Sequence, residues 1–397
     1  MVTIVEIIFC FFLVLLSVSV IIFFIQIACS FLPYSKNQYQ NISDTISTVI
    51  LIPAHNESIG ISSTLHSIKN KIEQSSNIKV LVVADNCDDD TVQVVRSHNI
   101  EVIERFDKKK RGKGYALDFG IQYLSNTKPD IVLILDADCL VGDHAISTLV
   151  NHAIFYKRPI QGLYLMHSHH DAPIKAKIAE FAWRVKNQVR PMGFHKLGLP
   201  CQLMGSGMAF PWQAISQVSL ATGHIVEDMK LGVDLARLKL PPRFCPEALI
   251  TSQFPMNKDG ISSQRTRWEH GHIGMIVKEG PSLICKSIIN ADLKMLALAL
   301  EMCVPPLALL VLMISLLSGL GIILSVLTKQ LLPWSIAFLD LLFVGLGVAL
   351  AWFKYGKNIV SFSELLLVPL YILFKIPLYV KFIFKRQSDW VRSKRDS

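Results

Sequence analysis

Ile131-Val-Leu-Ile-Leu135-Asp136-Ala-Asp138 is the stretch that decides the fold. Five aliphatic residues in a row, with no polar one among them, read as a strand covered on both faces, the habit of parallel sheets packed between helices. Two carboxylates follow where that strand ends, and in open α/β sheets ligands gather at strand ends of this kind. An ordinary acidic turn is the plain reading of Asp136 and Asp138. The chemical reading is a pair of hard oxygen donors for Mg²⁺ or Mn²⁺ beside a substrate diphosphate.

Upstream the same pattern recurs. Residues 48–54 and 78–84 are further buried strands, and Glu101 to Glu104 is a short one. Between them, Ile61, Leu65, Ile68 and Ile72 recur at helical spacing within 58–72, and a second helix starts near Asp89-Asp90-Thr91. Gly114 to Leu124 is a third helix. Alternation of this kind predicts an α/β domain with a mainly parallel sheet. His55-Asn56-Glu57 and Asp85-Asn86 then join Asp136 and Asp138 at strand ends. Asp85 directly follows a buried strand and is placed to accept a hydrogen bond from a uracil N–H, whereas Asp88 to Asp90 read as a helix cap and solvated loop. The acidic run lacks the spacing of an EF-hand loop.

Further motifs lie downstream. Arg111-Gly-Lys113-Gly opens a helix without P-loop spacing; it is a basic turn or, through Lys113, a phosphate contact. Gly205-Ser206-Gly207 is a tight turn or a place where small residues let the backbone approach a sugar. Glu227 and Asp228 complement a helix N-terminus or supply a base for an acceptor hydroxyl. Gln264-Arg-Thr-Arg267-Trp268 fits an amphipathic surface helix, or a cation for a departing diphosphate with an indole face for a sugar ring. His270 and His272 read as structural.

The chain has 397 residues, 51% of them hydrophobic, and a net charge of +9; its mean hydropathy is +0.41. That is not the composition of an ordinary soluble protein. The positive charge has no basic and aromatic interleaving, which argues against a nucleic-acid partner. Ile7 to Ala28 reads as a retained membrane anchor. Cys303 to Leu327 and Leu331 to Phe353 are further spans, the second containing Asp340. Ser361 to Phe384 reads as interfacial or re-entrant, and Leu283 to Leu300 as another interfacial helix. Lys36 and the basic tail from Lys385 put the large domain on the cytoplasmic side. The organisation expected is an anchor over 1–30, a catalytic domain over 31–290 and membrane or interfacial helices over 291–397. The eight cysteines form no CxxC pair, so the sequence signals neither a zinc site nor a disulfide framework.

Taken in order, Ile52-Pro53-Ala-His-Asn-Glu57, Asp85, Asp136-Ala-Asp138, Glu227-Asp228 and Gln264-Arg-Thr-Arg267-Trp268 resemble the motifs of the membrane-integrated family-2 glycosyltransferases, which include cellulose, hyaluronan and poly-N-acetylglucosamine synthases. The resemblance implies a cytosolic GT-A (Rossmann-like) domain with flanking transmembrane helices. It places Pro53, Glu57, Asp85, Lys113, Asp136 and Arg267 at a UDP-sugar, and Asp138 with Asp136 at Mg²⁺ or Mn²⁺. It makes Asp228, beside Glu227, the base. Gln264 and Trp268 would border the acceptor, and the small residues Gly205 and Ser206 join them there on their own reading.

The reaction so implied is a single displacement with inversion, giving a β-linkage from a UDP-α-sugar to a polysaccharide or glycan. Transfer of one sugar to a membrane lipid, as in ceramide glucosyltransferase-like members, is the rival. A nucleotide-sensing transporter is the reading from another class. Three spans are few for a polymer channel, so polymer synthesis implies a second copy or an export partner.

Overall fold

The computed structural model describes residues 2–34, 46–73, 75–169 and 171–384. Lys36 and the basic tail from Lys385 lie outside the described residues. Aliphatic runs build one sheet from β1 (Thr48–Ala54), β2 (Ile78–Asp85), β3 (Glu101–Arg105), β4 (Ile131–Ile134), β5 (Leu140–Val141), β6 (Ile160–His167), β7 (Met208–Pro211) and β8 (Arg243–Gln253). Its order is β3-β2-β1-β4-β7-β6-β8-β5.

The first four strands are parallel, as their helical crossovers require. The sheet as a whole is mixed. β7 runs antiparallel to β4 and β6, and β5 antiparallel to β8. The expectation of a mainly parallel sheet came from the repeating first half; β5 to β8 lack the uniform aliphatic runs that marked β1, β2 and β4.

Helix formation follows from apolar spacing. Over Ile61–Ile72, Ile61, Leu65 and Ile68 are buried, each worth about 1.5–3 kcal/mol. Leu51, Val83, Ile134, Leu117 and Leu231 belong to one buried cluster joining strands to helices. A polar substitution at Leu51, in the middle of β1, would break it most directly.

The chain divides into two units. The described residues among 34–169 and 199–271 form the sheet unit, and those among 1–33, 170–198 and 272–386 form a helical unit. In the helical unit, Leu16, Phe23, Phe181, Val304, Ile314 and Val344 pack together. Among the described residues, four helical stretches are long and apolar enough to cross a membrane: Ile4–Cys29, Leu307–Thr328, Leu332–Gly356 and Phe362–Phe384. The last is broken into Phe362–Leu365, Val368–Leu373 and Ile376–Phe384. Asp340, the charge inside the third, is 5% exposed and accepts a 2.8 Å hydrogen bond from Ser17 Oγ. Paired in this way, a carboxylate is tolerated within so apolar a helix. The single interfacial helix expected over 283–300 is instead the end of Lys258–Ile289 and the start of Leu293–Cys303. Asp292 caps the second by accepting from Met295 N.

Candidate active site

The loops after β1 and β2 are stitched together. His55 Nδ1 lies 2.6 Å from the Asp85 carbonyl oxygen, and Glu57 N donates to Thr91 Oγ1 across 2.8 Å. Asp89 accepts from Ser58 N and Thr91 N. Burial works against its charge, but the bonds from Thr91 and Ser58 outweigh it and hold the carboxyl below its ordinary value. Asp89 thus ties the loop after β1 to the loop after β2. Pro53 is half-buried within β1, opposite Val83. Glu57 Oε2 points back to the start of helix Ile61–Ile72, near Gly60.

Asp85 ends β2 with 5% of its surface exposed. Its Oδ1 accepts from Arg105 Nη1 across 2.6 Å and from Asn86 Nδ2 across 2.9 Å. Burial raises its pKa, and the bond and charge of Arg105 offset only part of that. The Arg105 guanidinium lies 5.7 Å from the centre of the Tyr115 ring. Nothing in the sequence marked Arg105, because β3 is short and carries charges on both sides of it.

Lys113 opens helix Lys113–Leu124 and is the hub of the site. Its Nζ pairs with Asp136 Oδ1, donates to the Gly205 carbonyl oxygen across 2.7 Å, and stands 4.0 Å from Glu227 Oε1. Burial acts to lower the pKa of this ammonium, but the carboxylates of Asp136, Glu227 and Asp228 overcome it and push it up to about 12.

Gly205 has a φ of +95°, and a methyl group there would lie 3.4 Å from Asp228 Oδ2 and 3.7 Å from Lys113 Nζ. The left-handed conformation is what calls for glycine, and the added methyl would only come into ordinary contact with those two groups. Glu227 and Asp228 begin helix Glu227–Arg237. Burial raises the Glu227 carboxyl to about 7, opposed by Lys113 and Arg267 and reinforced by Asp228. Asp228 Oδ1 accepts from Met229 N.

Asp136 and Asp138 flank a turn in which Cys139 N donates to the Asp136 carbonyl oxygen. Thr64 Oγ1 holds it from outside through the Ala137 carbonyl oxygen. Ligand atoms of Asp136, Asp138 and Cys139 lie within 4.8 Å of one another. Burial holds the Cys139 thiol well above its usual range, so the donors that fit a hard cation are the two carboxylates.

Ser206 departs from its expected place. It is fully buried; its Oγ accepts from Asp136 N at 3.0 Å and donates to Cys139 Sγ at 3.1 Å. A side chain so enclosed braces the turn that carries Asp136 and Asp138. Gln161, unmarked by sequence, clamps the same loop. It accepts from Met204 N at 2.7 Å and donates to the Ser206 carbonyl oxygen at 2.9 Å.

Gln264, Arg267 and Trp268 sit half-buried on helix Lys258–Ile289. Gln264, Trp268 and Gly271 follow one another at intervals of four and three and so share a helix face. A methyl at Gly271 would overlap Val226, 2.5 Å from its Cγ1. That contact seats this face against the residue before Glu227, and the charge of Arg267 reaches Glu227. Gly271 was invisible in sequence because its role depends on a segment 45 residues away (271 − 226).

The profile of glycosyltransferase-like family 2 matches residues 47–271, more than half of the chain, which belongs to that family. The probable glycosyltransferase YdaM of Bacillus subtilis is 25% identical over 264 residues, 60% of this chain and 58% of that protein. The 4,4'-diaponeurosporenoate glycosyltransferase of Staphylococcus haemolyticus is 24% identical over 252 residues, 60% of this chain and 63% of that protein. The matched region thus spans about three-fifths of these relatives' length. The mannosyltransferase PcManGT of Pyrobaculum calidifontis, solved with GDP-Man and Mn²⁺, superposes with a TM-score of 0.53 at 16% identity, over 94% of this chain and 96% of that one. The shared fold is GT-A, as the motifs led one to expect.

Proposed function

We propose that the protein transfers a glycosyl group from a nucleoside-diphosphate sugar to an acceptor at a membrane. The observation that carries this reading is the convergence on Lys113 of Asp136, Gly205 and Glu227, each from a separate segment. Family membership supports the reaction type.

The acceptor oxygen attacks the anomeric carbon as the bond from that carbon to the diphosphate oxygen breaks, with inversion and a β-linkage from an α-configured donor. Asp228 takes the acceptor proton. Arg267 and Lys113 offset the charge gathering on the leaving diphosphate. Asp138, with Asp136, would hold Mg²⁺ or Mn²⁺, which supplies further neutralisation of that charge when bound. Pro53, Glu57, Asp85 and Arg105 line the nucleotide end. Gln264, Trp268 and the Gly205 backbone border the acceptor, with Ser206 behind them.

The apolar stretches support a membrane-held enzyme, and the distribution of basic residues in the sequence favours a cytoplasmic catalytic unit. Transfer to a growing glycan is one reading of the acceptor. The Staphylococcus relative named for 4,4'-diaponeurosporenoate favours a second, transfer of one sugar to a small membrane-borne molecule.

Purified protein in nanodiscs, given Mn²⁺ or Mg²⁺ and a panel of UDP- and GDP-sugars, tests the proposal. Release of nucleoside diphosphate with a glycosylated product is expected from at least one donor. Product mass separates polymer from single transfer. No turnover with any donor, in membranes supplying lipid and glycan acceptors, would contradict it.

A further inference from the structure

Away from the proposed active-site residues, the sheet unit gathers three further donor side chains. His152 lies on helix Ala145–Tyr156, and Cys245 and Glu247 lie on β8. His152 and Cys245 are buried, and a ligand atom from each of the three lies within 4.8 Å of the others. We propose that His152 Nε2, Cys245 Sγ and Glu247 Oε2 form a second metal site, for a thiophilic divalent cation of the zinc type.

The spacing fits. Cys245 Sγ is 3.6 Å from Glu247 Oε2 and 4.0 Å from His152 Nε2. Ordinary zinc–sulfur, zinc–nitrogen and zinc–oxygen bonds at tetrahedral angles put such atoms about 3.5–3.6 Å apart. The sulfur–oxygen edge already has that length, the sulfur–nitrogen edge exceeds it by about 0.4 Å, and the third edge lies within the same 4.8 Å limit.

The backbone is arranged for it. The ladder between β6 and β8 slips after Gly162, which pairs with Cys245, while Leu163 pairs with Leu249. Residues 246–248 therefore bulge from the sheet. Pro246, which has no N–H to offer a ladder, occupies the first bulge position. Bulges of this kind re-aim side chains.

The outer shell is present too. Tyr34 donates its hydroxyl to Glu247 Oε1, which turns Oε2 toward the sulfur. Ligating carboxylates are characteristically held by such second partners. Burial lowers the pKa of the His152 imidazole, against the charge of Glu247 and with that of Arg243, and the neutral imidazole is the form that binds metal. The Cys245 thiol, raised well above its usual range by burial and the Glu247 charge, gives its proton to solvent as the metal–sulfur bond forms. Donor softness separates this site from the carboxylate pair Asp136 and Asp138. The metal would tie together Tyr34, helix Ala145–Tyr156 and β8.

The test uses the full-length purified protein, stripped with a chelator and titrated with Co²⁺ alone and then Zn²⁺ alone. A thiolate-to-cobalt charge-transfer band is expected, with one equivalent of Zn²⁺ displacing the cobalt and being retained through gel filtration. Cys245→Ser must abolish the band and Cys139→Ser must keep it. Tyr34→Phe leaves all three donors and should weaken zinc at least tenfold; it serves where Cys245→Ser does not fold. No band and no retained zinc in the unaltered protein, a band that survives Cys245→Ser, or unchanged zinc affinity in Tyr34→Phe would overturn the assignment.

Discussion

Lys113 Nζ donates to the carbonyl oxygen of Gly205 across 2.7 Å, while its charge is shared with Asp136 in the turn after β4. One ammonium thus fixes the glycine turn against the carboxylates. Its removal takes the Lys113 charge away from Asp136, Glu227 and Asp228. Lys113→Met is expected to destabilise the fold by about 2–3 kcal/mol, as loss of one partner of a largely buried pair does. Its sugar-transfer rate should fall at least a hundredfold. Thermal unfolding and nucleoside diphosphate release measure the two effects.

Gly205→Ala forces a left-handed φ on a side chain, and its methyl would stand in contact with Asp228 Oδ2 and Lys113 Nζ. Gly198 supplies the comparison, since its φ is +70° and nothing lies within 4 Å of its added methyl. Both alanine variants should lose about 1–2 kcal/mol of stability to backbone strain. Only Gly205→Ala should lose more than tenfold in kcat. Equal activities would place Gly205 outside the site.

Ser206→Ala leaves Asp136 N without its acceptor in a buried setting, at a cost of about 1–3 kcal/mol. Because the hydroxyl is enclosed, the kinetic effect should fall on kcat and on metal affinity. A rise confined to the acceptor KM would instead restore Ser206 to the acceptor surface.

Glu227 holds its proton up to about 7 in the folded chain, against an ordinary value of 4.5. Between these values the folded state binds more protons than the unfolded one, so this group's contribution to stability declines as pH rises through the window. Glu227→Gln should flatten the fall in Tm between pH 5 and pH 7.5. An unchanged slope would assign that dependence to other groups.

Much of this arrangement was legible in the sequence. Uniform aliphatic runs gave β1, β2 and β4 nearly to the residue, and the carboxylates at their ends pointed to the ligand edge. The second half was less readable, because β8 is interrupted by a bulge at Pro246 and β5 is two residues long. Residues whose work is done through partners distant in the chain left no local mark. Gln161 acts on 204–206, Gly271 on Val226, and Cys245 meets His152 across 93 positions. Ser206 was found for its small size, but its role is set by burial, which spacing does not show.

The pairing of Asp85 with Arg105 bears on donor choice. Asp85→Asn removes the charge that both Arg105 and a base N–H would use, so donor KM should rise at least tenfold while kcat changes little. Competition between UDP- and GDP-sugars would show whether this end of the site selects the base. Unchanged donor KM would move base recognition elsewhere.

We propose that Asp138 and Asp228 divide metal holding and proton transfer within one glycosyl-transfer site. That division is tested most directly by nucleoside diphosphate release from Asp228→Asn and Asp138→Asn, beside the unaltered protein, across a Mn²⁺ titration, with donor binding measured in parallel. The expected result is that Asp228→Asn binds donor with metal as the unaltered protein does yet turns over at least a thousandfold more slowly. Asp138→Asn should need far more Mn²⁺ for donor binding. Full transfer by Asp228→Asn, or an unchanged Mn²⁺ requirement in Asp138→Asn, would contradict the account.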